Sequence, residues 1–499
     1  MIEDRGGRPM VGHPACRNDD HADPRIRGEH WSKSMVQSWN RGGPWWASVL
    51  TALAAVLFLA PGVHAQDVEE RFPGVSLGLL YEGRTQPVVA IQPFQGGTAA
   101  QRAENIVARD LRHSNRFRVL DSIPQAFARD QVDYALWDEL GADWLVTGRL
   151  EAGALVVEVH DVIYRELRDQ GRFPLPSPDS PDFRMATHIA SDAVVQWVFD
   201  EPGIAASRIV FSRRMEDGSQ DLWMVDADGE NLQRITRDRA QEDGYALAMS
   251  PSWSPDGRRV VYTSYQSGLP RVYELNLETG ERKSVPAERV GDYITPTYHP
   301  DGERVAFAVN AGRDSGIFTY NLAQECCFEE ISRGRWEDIS PSFSPDGSQL
   351  VFNSNRLGVG APQIYRMPAN GGQPHIVSPY VYNRPGYYTS PEWSPRGDRI
   401  AYHGRIEQRG RHHVLVSEVG QRGRVVQLTR EGNNEDPSWA PDGRHLVYSG
   451  ERNWGRALFI VDVETGATRT LVSGMRARMA AWSPSLAPRY AADAEEDRD

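Results

Sequence analysis

The chain has 499 residues, more than one ordinary core accommodates, so two folded units, one of them large, are expected. An apolar content of 40% and a charged content of 25% suit a soluble globular chain and argue against disorder. The formal charge is -13, and no Lys/Arg run exceeds a dipeptide, which argues against a phosphate-tracking, nucleic-acid-binding surface.

Residues 45–60 form an uncharged apolar run after Arg41, followed by Pro61, Gly62 and Val63-His64-Ala65. This reads as the h-region and A-x-A-like cleavage site of an export signal, cut after Ala65, with Met35 as a more conventional start. The run is shorter than the ~20 residues that span a bilayer. Residues 1–65 are therefore expected as a signal peptide and 66–86 as an extended N-terminal segment.

Residues 87–200 read as a small α/β domain. Pro87-Val-Val-Ala-Ile-Gln-Pro-Phe94 is a buried strand, and Thr98 can cap a helix through Ile106 and Leu111. Phe117-Arg-Val-Leu120 is a second strand, and a helix over 136–140 ends at Gly141. Residues 144–148 and 155–159 pair as a hairpin, 173–181 form a loop, and 183–199 form a helix that leads into the hinge Glu201-Pro-Gly203.

Beyond the hinge one phrase recurs: Pro251-Ser-Trp-Ser-Pro-Asp-Gly257, Pro296-Thr-Tyr-His-Pro-Asp-Gly302, Pro341-Ser-Phe-Ser-Pro-Asp-Gly347, Pro391-Glu-Trp-Ser-Pro-Arg-Gly397 and Pro437-Ser-Trp-Ala-Pro-Asp-Gly443, with a truncated Ala480-Ala-Trp-Ser-Pro484. The starts lie 45, 45, 50, 46 and 43 residues apart, the period of a four-stranded propeller blade. In each copy the aromatic ends an inner strand, and Pro, Asp and Gly build the turn into the next strand. Residues 208–211, 222–225 and 232–236 are three strands without an inner strand of their own, and 481–483 is an inner strand without a blade. Joining the two completes a sixth blade and removes a bare sheet edge. The fold class expected is thus mainly β, a six-bladed β-propeller over 204–485 preceded by a small α/β domain, with a disordered tail at 486–499.

Chemistry is sparse. Cys16 precedes the cleavage site, and the adjacent Cys326 and Cys327 can form only a vicinal disulfide or remain thiols in a turn. Gly74-Val-Ser-Leu-Gly78 matches a nucleophile elbow but lies before any complete sheet. His403, His412 and His413 could meet across a hairpin, yet they lack a fixed metal-ligand spacing. No catalytic, cofactor or metal residue is assigned.

The order of signal, α/β domain and propeller resembles the TolB family of the Tol-Pal system. So do the strings Val89-Ala-Ile-Gln-Pro-Phe94, Ile106-Val-Ala-Arg-Asp-Leu111, 142–148, His188-Ile-Ala-Ser-Asp192 and Arg208-Ile-Val-Phe211. The resemblance implies a periplasmic, non-enzymatic adaptor whose propeller mouth binds the lipoprotein Pal and whose N-terminal segment engages TolA. It also implies peripheral association with the outer membrane through those partners. Glu69-Glu-Arg-Phe-Pro73 and the loop 175–182 depart from the family pattern. The loops entering the inner strands are the expected docking surface: Ser250, Asp292, Tyr293, Thr295, Glu337, Asp338, Ser340, Tyr388, Ser390, Glu435 and Asp436. The competing reading is a propeller that serves a prolyl-oligopeptidase-like hydrolase, with Ser76 as nucleophile, or another envelope assembly.

Overall fold

A computed structural model describes residues 76–77, 86–120, 123–124, 127, 131–238, 246–312, 315–358, 360–380, 385–406, 410–420 and 424–490. The signal peptide, Met35, the site after Ala65, Cys16 and most of the N-terminal segment 66–86 lie outside the described residues. Strand β1 (Ser76–Leu77) runs parallel to the outer strand Arg424–Gln427 of the fourth blade.

The α/β unit is a five-stranded sheet. Its strands are β2 (Val88–Ile91), β3 (Arg118–Leu120), β4 (Trp144–Glu151), β5 (Ala154–Asp161) and β6 (Glu166–Pro174), in the order β3-β2-β4-β5-β6. Strands β3, β2 and β4 are parallel, and β4, β5 and β6 form an antiparallel meander. Alternation along β2 sends Val89 and Ile91 to one face and Ala90 to the other. The first face is covered by α1 (Gly97–His113) and α3 (Asp182–Phe199), through Ala103, Val107, Leu111, Phe183 and Val194. The second is covered by α2 (Tyr134–Glu139), through Trp137.

Three local expectations need correction. Gly96, not Thr98, is the N-cap of α1, and Thr98 lies inside its first turn. Strand β6 is additional to the expected elements, and it claims Phe173 and Pro174 from the expected loop. Its residues are mostly exposed, so Glu166, Arg168, Asp169 and Arg172 never alternate with apolar positions. The expected disordered tail is also wrong for its first residues, because Leu486 is fully buried and packs with Met185 of α3 and with Ala206.

Six four-stranded sheets make the propeller, the fourth extended by β1. Blades 1 to 5 run over residues 248–284, 292–330, 338–376, 387–427 and 434–472. Blade 6 joins the inner strand Arg476–Trp482 to Arg208–Arg214, Gln220–Asp226 and Gln233–Arg234. Trp482 pairs with Ile209, so the C-terminal strand closes the ring.

The repeated phrase explains how neighbouring blades hold together. The turn glycines 257, 302, 347, 397 and 443 have φ of 67, 73, 70, 77 and 61°, which a side chain resists. Asp301 and Asp442 each accept two backbone N–H groups of the turn they precede. Indole N–H groups reach backward: Trp253 donates to the Ala481 carbonyl (3.0 Å) and Trp439 to the Glu392 carbonyl (3.2 Å). In blades 1, 3, 4 and 5 the residue before the aromatic also accepts from the backbone of the next blade. Ser342 takes the Trp393 N–H (3.1 Å), Glu392 the Trp439 N–H (3.0 Å), and Ser438 the Trp482 N–H (3.0 Å).

Cys326 and Cys327 are bonded to each other and open the outer strand Cys326–Glu330 of blade 2.

Candidate docking mouth and domain junction

Two faces of the propeller differ in what they carry. The turns that follow the inner strands hold the α/β unit. Arg116 pairs with Glu201, which also takes Arg396 of the blade 4 turn (2.9 Å). Arg444 of the blade 5 turn reaches the Asn115 carbonyl (3.4 Å). Asp192 of α3 accepts the N–H groups of Ala205 and Ala206, both at 2.8 Å, and so fixes the entry to blade 6.

The centre of this junction is a buried polar network. His188 of α3 places Nδ1 2.8 Å from Asp110 of α1, and Ser191 donates to the same carboxylate at 2.7 Å. Across the junction, Asp228 of blade 6 takes Arg184 and Arg109, and Asp226 takes Arg208 (3.1 Å). Burial opposes protonation of His188, but the carboxylates of Asp110, Asp228 and Asp226 outweigh it and hold its pKa above the ordinary imidazole value. Asp110, His188 and Asp228 bring ligand-type atoms within 4.8 Å of one another. Two guanidiniums already neutralise Asp228, so the arrangement is an ion-pair lock rather than a cation cradle. Sequence reasoning missed this network. Its signal was polar His188, Ser191 and Asp192 at helical i, i+3, i+4 spacing on a face otherwise built from Ala and Val.

The opposite face carries the loops that enter the inner strands. Every inner strand breaks register within its middle, between Met249/Ser252, Ile294/Thr297, Ile339/Ser342, Thr389/Glu392, Glu435/Ser438 and Arg478/Ala481. Each break contains one left-handed residue: Ser250, Thr295, Ser340, Ser390, Asp436 or Met479, with φ of 51, 50, 54, 50, 54 and 51°. Six non-glycine residues at positive φ in equivalent positions are a ring of bulges, each costing on the order of 1 kcal/mol of backbone strain. The preceding blade or bulge holds four of their amides: Thr263 for Thr295 (3.2 Å), Thr295 for Ser340 (3.1 Å), Asn353 for Ser390 (3.4 Å) and His403 for Asp436 (3.0 Å). The ring lines a central cavity of ≈ 570 Å³.

Five of the expected docking residues, Ser250, Thr295, Ser340, Ser390 and Asp436, therefore sit together in this ring. Asp292 and Glu435 are half-buried on the surrounding rim, and Glu337 is exposed there. Glu435 is gripped by His412 (3.4 Å), Arg456 (3.3 Å) and Arg478 (3.2 Å). The hydrogen bond from His412 and the nearby cations hold its carboxyl down at about 2. Three expected residues are corrected, because the structure buries them. Tyr293 stacks on Phe307 and bonds the Arg289 carbonyl, Tyr388 packs edge-on against Tyr402, and Asp338 is clamped by Arg356 at 2.8 and 2.9 Å. Each lies two residues before a bulge, where the strand still points side chains into the blade. His403 and His412 have adjacent rings (5.5 Å), but the Asp436 amide and Glu435 engage their Nδ1 atoms, so both brace the rim.

Sequence reasoning also missed the rim's apolar studs. Leu269, Val290, Trp336, Leu357 and Trp454 are 55, 90, 38, 40 and 55% exposed, and all five occupy loops on this face.

Comparison with known proteins places this architecture. The sequence family described as "TolB beta propeller domain" matches residues 196–486, more than half of the chain, and "TolB amino-terminal domain" matches 80–174. The chain belongs to the TolB family. A Tol-Pal system protein TolB from Anaeromyxobacter dehalogenans is 34% identical over 240 residues, 46% of this chain and 51% of that protein. One from Methylococcus capsulatus is 33% identical over 208 residues, 40% and 47% of the two chains. The chain thus spans about half the length of the curated TolB relatives it matches. The crystal structure of TolB from Acinetobacter baumannii superposes with a TM-score of 0.68 at 24% identity, over 80% of this chain and 97% of that one, and shares the TolB fold.

Proposed function

We propose that the chain is a periplasmic, non-catalytic adaptor of the Tol-Pal system. The face opposite the α/β unit seats the lipoprotein Pal, and the N-terminal segment 66–86 engages TolA. Through these partners the protein associates peripherally with the outer membrane and supports its integrity and its constriction at division. One observation carries the reading: the exposed Leu269, Val290, Trp336, Leu357 and Trp454 share the loops around the strained ring. Exposed large apolar residues gathered on one face, rimmed by charge, suit a protein partner.

The hydrolase reading finds no support at Ser76, whose backbone lies in a short strand beside blade 4 rather than at a strand-to-helix elbow. Among the described residues no helix is long and apolar enough to cross a membrane. The test is capture of the soluble domain of Pal from the same organism by the purified chain. Binding that Trp336→Ala with Trp454→Ala weakens about tenfold or more supports the proposal. No binding by the wild-type chain overturns it.

A further inference from the structure

We propose that Arg214 and Arg476, on the blade that closes the ring, receive acidic side chains of the protein docked on the mouth. The inference rests on the docking reading above and names the chemistry of one sector of that surface.

The two residues face each other directly where the inner strand Arg476–Trp482 pairs with Arg208–Arg214. Like charges opposed across an antiparallel pair destabilise it. Both are exposed, and neither joins an ion pair among the described residues. Their neighbours are engaged: Arg213 lies over the Trp223 ring at 4.5 Å, and Arg478 pairs with Glu435 at 3.2 Å. The acids closest in sequence, Glu216 and Asp217, follow in the next turn, where Ser219 already occupies the Asp217 carboxylate.

The chain has 68 acidic residues against 55 Lys and Arg. On the other face Arg184, Arg208 and Arg444 each find an aspartate. The Arg214–Arg476 rung has no such partner among the described residues. Arg476 opens the inner strand that carries Met479, the blade 6 member of the channel ring, three residues further on, so the rung lies at the loop end of that strand, on the side of the mouth. Arginine presents planar donors matched to carboxylates, which makes an acidic loop of the partner the complementary occupant.

The experiment measures the dissociation constant of the full mature chain for the soluble domain of Pal at 50 and 300 mM salt, as order-of-magnitude settings for strong and weak screening. The variants are Arg214→Glu/Arg476→Glu, the milder Arg214→Gln/Arg476→Gln, and Arg165→Glu as a charge control on the exposed β5–β6 turn of the α/β unit. The expected result is a loss of about tenfold or more at low salt for the Glu pair, a smaller loss for the Gln pair, and a flattened salt dependence in both. Arg165→Glu should match the wild type. Wild-type binding with unchanged affinity and salt dependence in both pairs overturns the arginine site and leaves the docking reading intact. A wild-type chain that does not bind Pal overturns the docking reading itself. Loss of binding to phosphatidylglycerol vesicles in the pairs, with Pal affinity unchanged, also overturns the proposal.

Discussion

Glu392 offers the sharpest physical test of how the ring is held. Blades 1, 2, 3 and 5 have Ser252, Thr297, Ser342 and Ser438 at its position, one residue before the aromatic. The Glu392 carboxylate replaces that hydroxyl, accepting the Ser438 O–H (3.1 Å) and the Trp439 N–H (3.0 Å). Burial pushes its pKa up from 4.5 to about 7, and the two hydrogen bonds only partly offset this. The folded-state value lies above the unfolded one, so ionisation works against folding. The cost is absent below the unfolded pKa and grows as pH rises to the folded one. Linkage gives about 1 kcal/mol at pH 5 and about 3 kcal/mol at pH 8. Glu392→Gln keeps the shape and one acceptor oxygen but removes the charge. Urea unfolding of both proteins should therefore show Gln gaining about 2 kcal/mol on the wild type between pH 5 and pH 8. A difference that does not change with pH would refute the reasoning, and one that shrinks with rising pH would reverse its sign.

His188→Gln retains a donor for Asp110 but loses the imidazolium facing Asp226 and Asp228. The folded pKa is raised, so this stabilisation is full below about 6.5 and is lost as pH climbs through the folded value. The variant should melt lower than the wild type at pH 6, with the gap narrowing as pH rises. At the ring of bulges, Ser340→Gly removes a left-handed serine (φ 54°) and should raise stability by about 1 kcal/mol in denaturant titrations. Gly203→Ala would place a Cβ 2.0 Å from Asp192 Oδ1, so hydrogen exchange at the Ala205 and Ala206 amides should rise at least tenfold while the inner strands stay protected.

What was legible in the sequence was local. The aromatic and the Pro-Asp-Gly turn act within a few residues of one another, and their recurrence leaves three strands unmatched at one end and one at the other, so the six blades and the pairing of Trp482 with Ile209 follow from the pattern. The strand β6 could not, because an edge strand solvated along its length needs no apolar alternation. The junction network could not either, since Asp110, His188 and Asp228 are brought together from α1, α3 and blade 6, and nothing near any one of them announces the others.

The mouth shows why position in a loop is a blunt guide to function. Tyr293 and Thr295, two residues apart, sit on the same approach to the cavity, yet one is core and the other lines the channel. In a regular strand, residues two apart would share a face. The left-handed bulge breaks that rule, turning Ser250, Thr295, Ser340, Ser390, Asp436 and Met479 toward the axis, each next to Pro or Ala. Four of the six strained residues have their amide held by the blade before them, as His403 holds Asp436. The same inner strands end at the turns that carry Arg396 and Arg444, which grip the α/β unit. Mouth and junction are thus two ends of the same short strands.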